Sequence, residues 1–313
     1  MRLLTFAPAK VNLVLQVGPL RPDGYHELRT LMVPLDLCDR VEVRVSRRPG
    51  SVSCRVPGLP ELSRPANLAA RAAAAFRKRF GTPNGVAVRI DKRIPVTAGL
   101  GGGSSDAAAV LRCLARAFAV EDPEALRQIA LSVGSDVPFF LGSGPAWAAG
   151  RGELLTPFDL DPLDLVLVFP EDPALAIRSG DAYRWLDKLR TRRGSRRRFS
   201  RPHAFTLSRV GNDLQTPCLA HRPALASLMG LLRGAGARVV MLSGSGPTVF
   251  GIFSGMGAAR SAALSIQAEE GRGAGLRVIA VRTVQRLPRV TSWRSPRSAS
   301  SPSARRSSRR TSR

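Results

Sequence analysis

Arg93-Ile-Pro-Val-Thr-Ala-Gly-Leu-Gly-Gly-Gly-Ser-Ser-Asp106, followed without a break by the alanine-rich run Ala107 to Val120, decides how the rest of the chain is read. Gly99, Gly101, Gly102 and Gly103 allow positive-φ backbone and let N–H groups reach an anion with no Cβ in the way. Ser104 or Ser105 is placed to cap a helix opening at that point, where the helix dipole adds partial positive charge. Val110, Leu111, Leu114 and Phe118 recur at helical spacing, which argues against a flexible Gly/Ser linker. The stretch predicts a phosphate cradle feeding a helix, with Pro95, Val96, Thr97, Ala98, Gly99, Leu100, Gly101, Gly102, Gly103, Ser104 and Ser105 around nucleotide phosphates. It is neither of the two commoner glycine loops. No Gly-Lys-Ser/Thr opens the helix, and counting from Gly99 or Gly101 puts Ser104 or Asp106 where a dinucleotide fingerprint needs its last small residue.

Around this segment, 313 residues with 44% hydrophobic content can bury a sizeable core, and two domains are expected. The longest apolar runs, such as Leu165 to Phe169, fall far short of the roughly 20 residues a membrane helix needs. Met1 to Pro19 carries Lys10 and Asn12 inside its apolar stretch and does not read as a signal peptide, so a cytoplasmic protein is expected. Cys38, Cys54, Cys113 and Cys218 are scattered without metal-ligand spacing, which predicts reduced thiols and no metal site of their own. The formal charge of +25 is uneven: Arg178 to Arg209 and Arg286 to Arg313 each contribute +9. Most of the basicity therefore lies outside the hydrophobically patterned core, and residues 288–313 read as a disordered basic tail able to contact anions or nucleic acid nonspecifically.

Alternation over Ala7 to Val17 predicts a strand with Val11, Leu13, Leu15 and Val17 on one face and Lys10, Asn12, Val14 and Gln16 on the other. A second extended region, Leu28 to Val45, is expected to break near Asp36 to Asp39. Helices are predicted over Asn67 to Phe80, Pro123 to Val133, Asp181 to Leu189, Leu225 to Leu232 and Ala258 to Glu270. Strands are predicted over Gly85 to Ile90, Leu165 to Phe169, Val239 to Leu242, Thr248 to Phe253 and Leu276 to Thr283. Interleaved strands and helices predict an α+β fold of two domains, residues 1–158 and 159–287, with the active site in the cleft between them.

Pro8-Ala-Lys10-Val-Asn12-Leu, Pro95 to Ala107 and Leu242 to Phe250 resemble the three motifs of the GHMP small-molecule kinases. Arg21-Pro-Asp-Gly-Tyr25-His26-Glu-Leu, Ile90-Asp-Lys-Arg-Ile-Pro, Gly134-Ser-Asp136-Val-Pro-Phe-Phe and Ser243-Gly-Ser-Gly-Pro place the chain, within that family, beside members whose substrate carries cytidine diphosphate. The likeness spans about residues 1 to 288 and implies ATP with Mg²⁺. It implies Lys10 and Asp136 as the catalytic pair, the carboxylate taking or orienting the proton of the substrate hydroxyl and the ammonium stabilising charge. It further implies Lys92 at the nucleotide phosphates, Asn67 shaping the nucleotide end, Ser105 near magnesium and Asn12 facing the substrate. Tyr25 and Tyr183 would sandwich the base, with His26 hydrogen-bonded to it. Ser179 stands where the family has a threonine, and the insert Arg190 to Arg201 has no family counterpart.

Two other readings follow from the same residues. A GHMP kinase for mevalonate, homoserine or a sugar gives no reason for Tyr25 and His26, and an RNA-binding protein would use the arginine clusters without aromatic interleaving.

Overall fold

The structure, a computed structural model, describes residues 1–193, 205–269 and 275–292. Most of the arginine-rich insert and the tail beyond Ser292 lie outside the described residues. In chain order the elements begin with β1 (Arg2–Leu20), β2 (His26–Pro49), β3 (Val52–Arg55), α1 (Leu68–Phe80), β4 (Asn84–Asp91), α2 (Gly102–Phe118) and α3 (Pro123–Val133). They continue with β5 (Ala146–Gly150), β6 (Leu154–Pro157), β7 (Asp164–Pro170), α4 (Ser179–Arg193), β8 (Gly211–Asn212), α5 (Gln215–His221) and α6 (Ala224–Gly234). The last are β9 (Val239–Leu242), β10 (Val249–Phe253), α7 (Met256–Glu269), β11 (Leu276–Arg282) and β12 (Thr291–Ser292).

Two sheets carry the molecule. The first has the order β12-β1-β2-β4-β3, with β5 and β6 extending from β2 and β8 pairing with β1; the second is antiparallel, β11-β7-β10-β9. Alanines 107, 108 and 109 of α2 and Ala69, Ala72 and Ala73 of α1 are fully buried, and their small side chains let these helices pack closely over the first sheet. On β7, alternation splits the burial: Val166 and Val168 enter the core under α4–α7, while Leu165 and Leu167 pack with Val11 and Leu13 of β1 and with Phe250 and Ile252 of β10. A third apolar layer thus joins the two sheets.

The α+β expectation stands, and four local expectations are corrected. Strict alternation in β1 fails because register shifts occur after Pro8 and after Asn12. Beyond the second shift the faces exchange, so Val14 joins the Val11–Leu13 core and Leu15 turns toward the cavity shared with Lys10 and Asn12. The second strand does not break at Asp36 to Asp39. Asp39 stays in it, fully buried, because its carboxylate accepts the Arg93 and Ile94 N–H groups (2.6 and 2.9 Å) and the Lys92 ammonium. Helix α2 starts earlier than Ser104 or Ser105 would place it. Its N-cap is Gly101 in the left-handed region (φ +69°), and both serines lie inside the first turn. Finally, residues 288–292 are ordered and not part of a disordered tail: Thr5 Oγ1 donates to Arg289 O, and Thr291 and Ser292 pair with Leu4 and Leu3. With β8 also pairing with β1, the two sheets do not correspond to a single cut in the sequence.

Burial pushes the Cys113 and Cys218 thiols up to about 12, which leaves them un-ionised and unreactive at neutral pH.

Candidate active site

The bulge in β1 aims Lys10 and Asn12 into a cavity of about 800 Å³ walled by β1, β2, α4, the glycine loop and the loop at residues 243–246. The Lys10 backbone N–H donates to Leu100 O (2.9 Å), tying the strand to the glycine loop. Its ammonium donates to Asn12 Oδ1 (2.8 Å), and Asn12 Nδ2 in turn donates to Thr30 Oγ1 (2.7 Å), which donates to Val14 O (2.7 Å). This chain of buried bonds fixes the ammonium in place. Asp136, between α3 and the turn at Pro138–Leu141, brings Oδ2 to 3.5 Å from Lys10 Nζ. The lysine side chain is 7% exposed and the carboxylate 38%, so the pair joins an anchored cation to a base that meets the cavity.

The glycine loop forms one wall, contributing Gly99, Gly101 and Ser104. At Gly99 (φ +73°) a Cβ would fall 2.5 Å from Ser243 O and 2.8 Å from Gly246 O. At Gly101 it would meet Lys10 Cγ at 3.0 Å and Phe140 Cζ at 3.1 Å. Loop-on-loop packing therefore requires glycine at both positions. The opposing loop, residues 243–246, is tied down by Ser243 Oγ donating to Gly99 O (3.1 Å) and by Asn212 Nδ2 donating to Leu242 O and Gly244 O (2.9 and 2.7 Å).

Lys92 does not line the cavity. It lies beneath Gly102, bonded to Asp39 and to Asp106 Oδ2 (2.9 Å). Burial pushes the Asp106 carboxyl up against the opposing pull of Lys92, while Asp39 and Asp106 outweigh burial and hold the Lys92 ammonium charged. Asn67 caps α1, its Oδ1 accepting from Ala69 N (2.8 Å) and its Nδ2 donating to Leu62 O (2.9 Å). Pro95, Val96, Thr97, Ala98, Leu100, Gly102, Gly103 and Ser105 also stand off the cavity. Val96, Thr97 and Gly103 form the loop's exposed outer surface, and Ala98, Leu100 and Ser105 are buried beneath it.

Tyr25, His26, Ser179 and Tyr183 meet on another wall. The two tyrosines are already engaged by protein groups: Tyr183 stacks on His26 (5.2 Å between centroids, 13° between planes), and the Arg151 guanidinium lies 3.8 Å over the Tyr25 ring. Burial, reinforced by the Asp136 carboxylate, pushes the Tyr183 hydroxyl upward and keeps it protonated. Ser179 Oγ is 3.2 Å from Ser245 Oγ, closing the wall onto the loop at residues 243–246. His26 Nε2 lies 3.0 Å from Asp187 Oδ1.

Sequence reasoning missed Thr30, Arg151, Asp187 and Asn212. Asp187 carried a signal: Ser179, Tyr183 and Asp187 are spaced at i, i+4 and i+8 on α4, one helical face. Asn212 and Arg151 had none, since their neighbours come from distant chain segments. Among the described residues no three His, Cys, Asp or Glu side chains cluster as a metal cage, and no helix is long and apolar enough to cross a membrane.

Residues 67–144 match the family description "GHMP kinases N terminal domain" and residues 200–272 match "GHMP kinases C terminal". A 4-diphosphocytidyl-2-C-methyl-D-erythritol kinase from Anaeromyxobacter dehalogenans is 68% identical, the alignment covering 99% of this chain and 100% of that one. A crystal structure of 4-(cytidine 5'-diphospho)-2C-methyl-D-erythritol kinase superposes with a TM-score of 0.69 at 36% identity, covering 90% of this chain and 98% of the other. A homoserine kinase from Cytophaga hutchinsonii shares the fold (TM-score 0.66, covering 93% and 97% of the two chains) at only 17% identity.

Proposed function

Because the chain belongs to the GHMP kinase family, we infer that it is an ATP-dependent kinase that phosphorylates the 2-hydroxyl of 4-diphosphocytidyl-2-C-methyl-D-erythritol in the non-mevalonate isoprenoid pathway. The observation that carries this reading is the Lys10–Asp136 pair set at 3.5 Å beside the glycine loop, in a cavity whose remaining wall is aromatic and histidine-bearing. A kinase acting on a small apolar or aliphatic alcohol has no use for that second wall.

Asp136 accepts the proton of the attacking hydroxyl. Lys10, held by Asn12, stabilises both that carboxylate and the charge spreading over the transferring phosphoryl group. Phosphoryl transfer demands mostly positioning and electrostatics, so a cation fixed by a chain of buried hydrogen bonds suits the task. The N–H groups of Gly102, Gly103 and Ser104 in the first turn of α2 bind the ATP phosphates, aided by the helix dipole, while the Ser105 N–H is taken up by Gly101 O (2.9 Å). Lys92 supports the loop from beneath, and Asn67 shapes the nucleotide end by fixing the start of α1. Tyr25, His26 and Tyr183 take the cytosine ring, with Ser179 and Asn12 bordering the linked alcohol.

Mg²⁺ takes most of its ligands from phosphates and waters and needs few from protein. The donors here fit that habit: Ser105 Oγ is buried without a hydrogen-bond partner among the described residues, and the Asp136 carboxylate faces the cavity. Asp136 would hold the ion from the cavity, with Ser105, buried under the loop, reaching it through a water, and the ion would supply charge neutralisation to the phosphates. We place the reaction in the cytoplasm, where ATP is supplied. Contact with anions or nucleic acid through the basic tail rests on charge alone and is separate from catalysis.

ADP release measured over candidate alcohols tests the reading: turnover is expected for the cytidylyl substrate and not for homoserine or mevalonate, and equal turnover of homoserine overturns it. Asp136→Asn, verified as folded, is expected to lower kcat by roughly a thousandfold. Parental turnover in that variant removes the proton acceptor from the mechanism.

A further inference from the structure

We propose that Asp187 is a positioning residue that holds a proton on Nε2 of His26 and so makes that ring select a pyrimidine carrying an exocyclic amine over one carrying a keto group. The inference rests on the cytidylyl reading of the cavity and deepens it.

A carboxylate oxygen can only accept, so the 3.0 Å contact between His26 Nε2 and Asp187 Oδ1 requires the proton to sit on Nε2. In the neutral ring Nδ1 is then an acceptor, and with Nε2 engaged by Asp187 it is the ring nitrogen left for a ligand in the cavity that His26 lines. An acceptor at that point is satisfied by an amine, whereas a keto oxygen would set lone pair against lone pair. The ring is also held in plane. Its side chain is 8% exposed and stacks on Tyr183 at an interplanar angle of 13°, so rotation that exchanged the two nitrogens would have to break the stack. Tyr183 and Asp187 lie one turn apart on α4, so a single helix supplies both the face that orients the imidazole and the acceptor that fixes its tautomer. Asp187 itself is 45% exposed and lines the cavity, and its carboxylate meets His26 from α4 across 161 residues of sequence.

The test compares wild type with Asp187→Asn and Asp187→Ala on the cytidylyl substrate and on its uridylyl counterpart, with thermal unfolding as the check on folding. An asparagine can turn either its oxygen or its NH₂ toward Nε2, and alanine offers nothing, so both variants release the tautomer. The ratio of kcat/KM for the cytidylyl over the uridylyl substrate is expected to fall roughly tenfold, the cytidylyl loss appearing in KM more than in kcat. Folded variants that keep the parental ratio overturn the role of Asp187 while leaving the cytidylyl reading intact. A wild-type enzyme that turns over both equally overturns this inference alone, and one that turns over neither overturns the cytidylyl reading and this inference with it.

Discussion

Around the glycine loop the cavity wall is main chain braced by other main chain, whereas around Tyr25 and Tyr183 it is side chains braced by side chains. Gly99 packs against the carbonyls of Ser243 and Gly246, Leu100 O receives the Lys10 N–H, and Lys92 with two buried carboxylates underpins Gly102. The aromatic wall depends on a ring stack, a guanidinium over an exposed tyrosine and one histidine–aspartate contact. On the function proposed above, phosphate groups, alike in every nucleotide, would be met by a backbone surface, and the group that distinguishes one substrate from another would be met by side chains that single substitutions can change.

That contrast can be broken first at Gly99. Gly99→Ala places a methyl group 2.5 Å from Ser243 O in a left-handed backbone, and displacing the loop should cost about 1–3 kcal/mol. A lowered Tm together with a rise of more than tenfold in the KM for ATP is expected; a variant with parental Tm and KM would show that the backbone wall is not rigid. A smaller effect is expected from Tyr183→Ala, which removes the stack under His26. The KM for the cytidylyl substrate should rise roughly tenfold with the KM for ATP nearly unchanged. Equal effects on both substrates would erase the distinction between the walls.

The smallest effect sharpens the account of the buried polar cluster. Burial pushes the Asp106 carboxyl up to about 7, so the folded chain holds a proton that the unfolded chain releases near pH ~4. Folding therefore takes up a proton between those values, and this group's contribution to stability declines as pH rises through the window. Asp106→Asn mimics the protonated form. Relative to it, the wild-type Tm should fall from mildly acidic to mildly basic buffer, and a wild type that gains on the variant over that range refutes the assignment.

The first half of the fold was legible because its signals are local. Period-two alternation marked β1, alanine content marked α1, and the glycine run marked the entry to α2. Errors arose where a distant partner overruled a local rule. Asp36 to Asp39 reads as a break until Arg93, Ile94 and Lys92 supply hydrogen bonds to Asp39 inside the strand. Ser104 and Ser105 read as caps until Gly101, with positive φ, starts the helix first. The register shift after Asn12 leaves no trace in composition, yet it decides that Leu15 rather than Val14 borders the cavity. At the site, Lys10, Asp136, Tyr25, His26 and Tyr183 were found through motif likeness. Asn212, which ties down the loop at Leu242 and Gly244, acts through its fold position alone.

The apolar layer shared by β1, β7 and β10 limits how such an enzyme can exclude water. Hinge bending between the sheets would separate Val11, Leu13, Leu165, Leu167, Phe250 and Ile252, all fully or almost fully buried, at about 1.5–3 kcal/mol for each side chain wetted. Closure over a substrate is left to short segments at the rim, such as the adjoining ends of β2 and β5, where the Arg151 guanidinium lies over the Tyr25 ring.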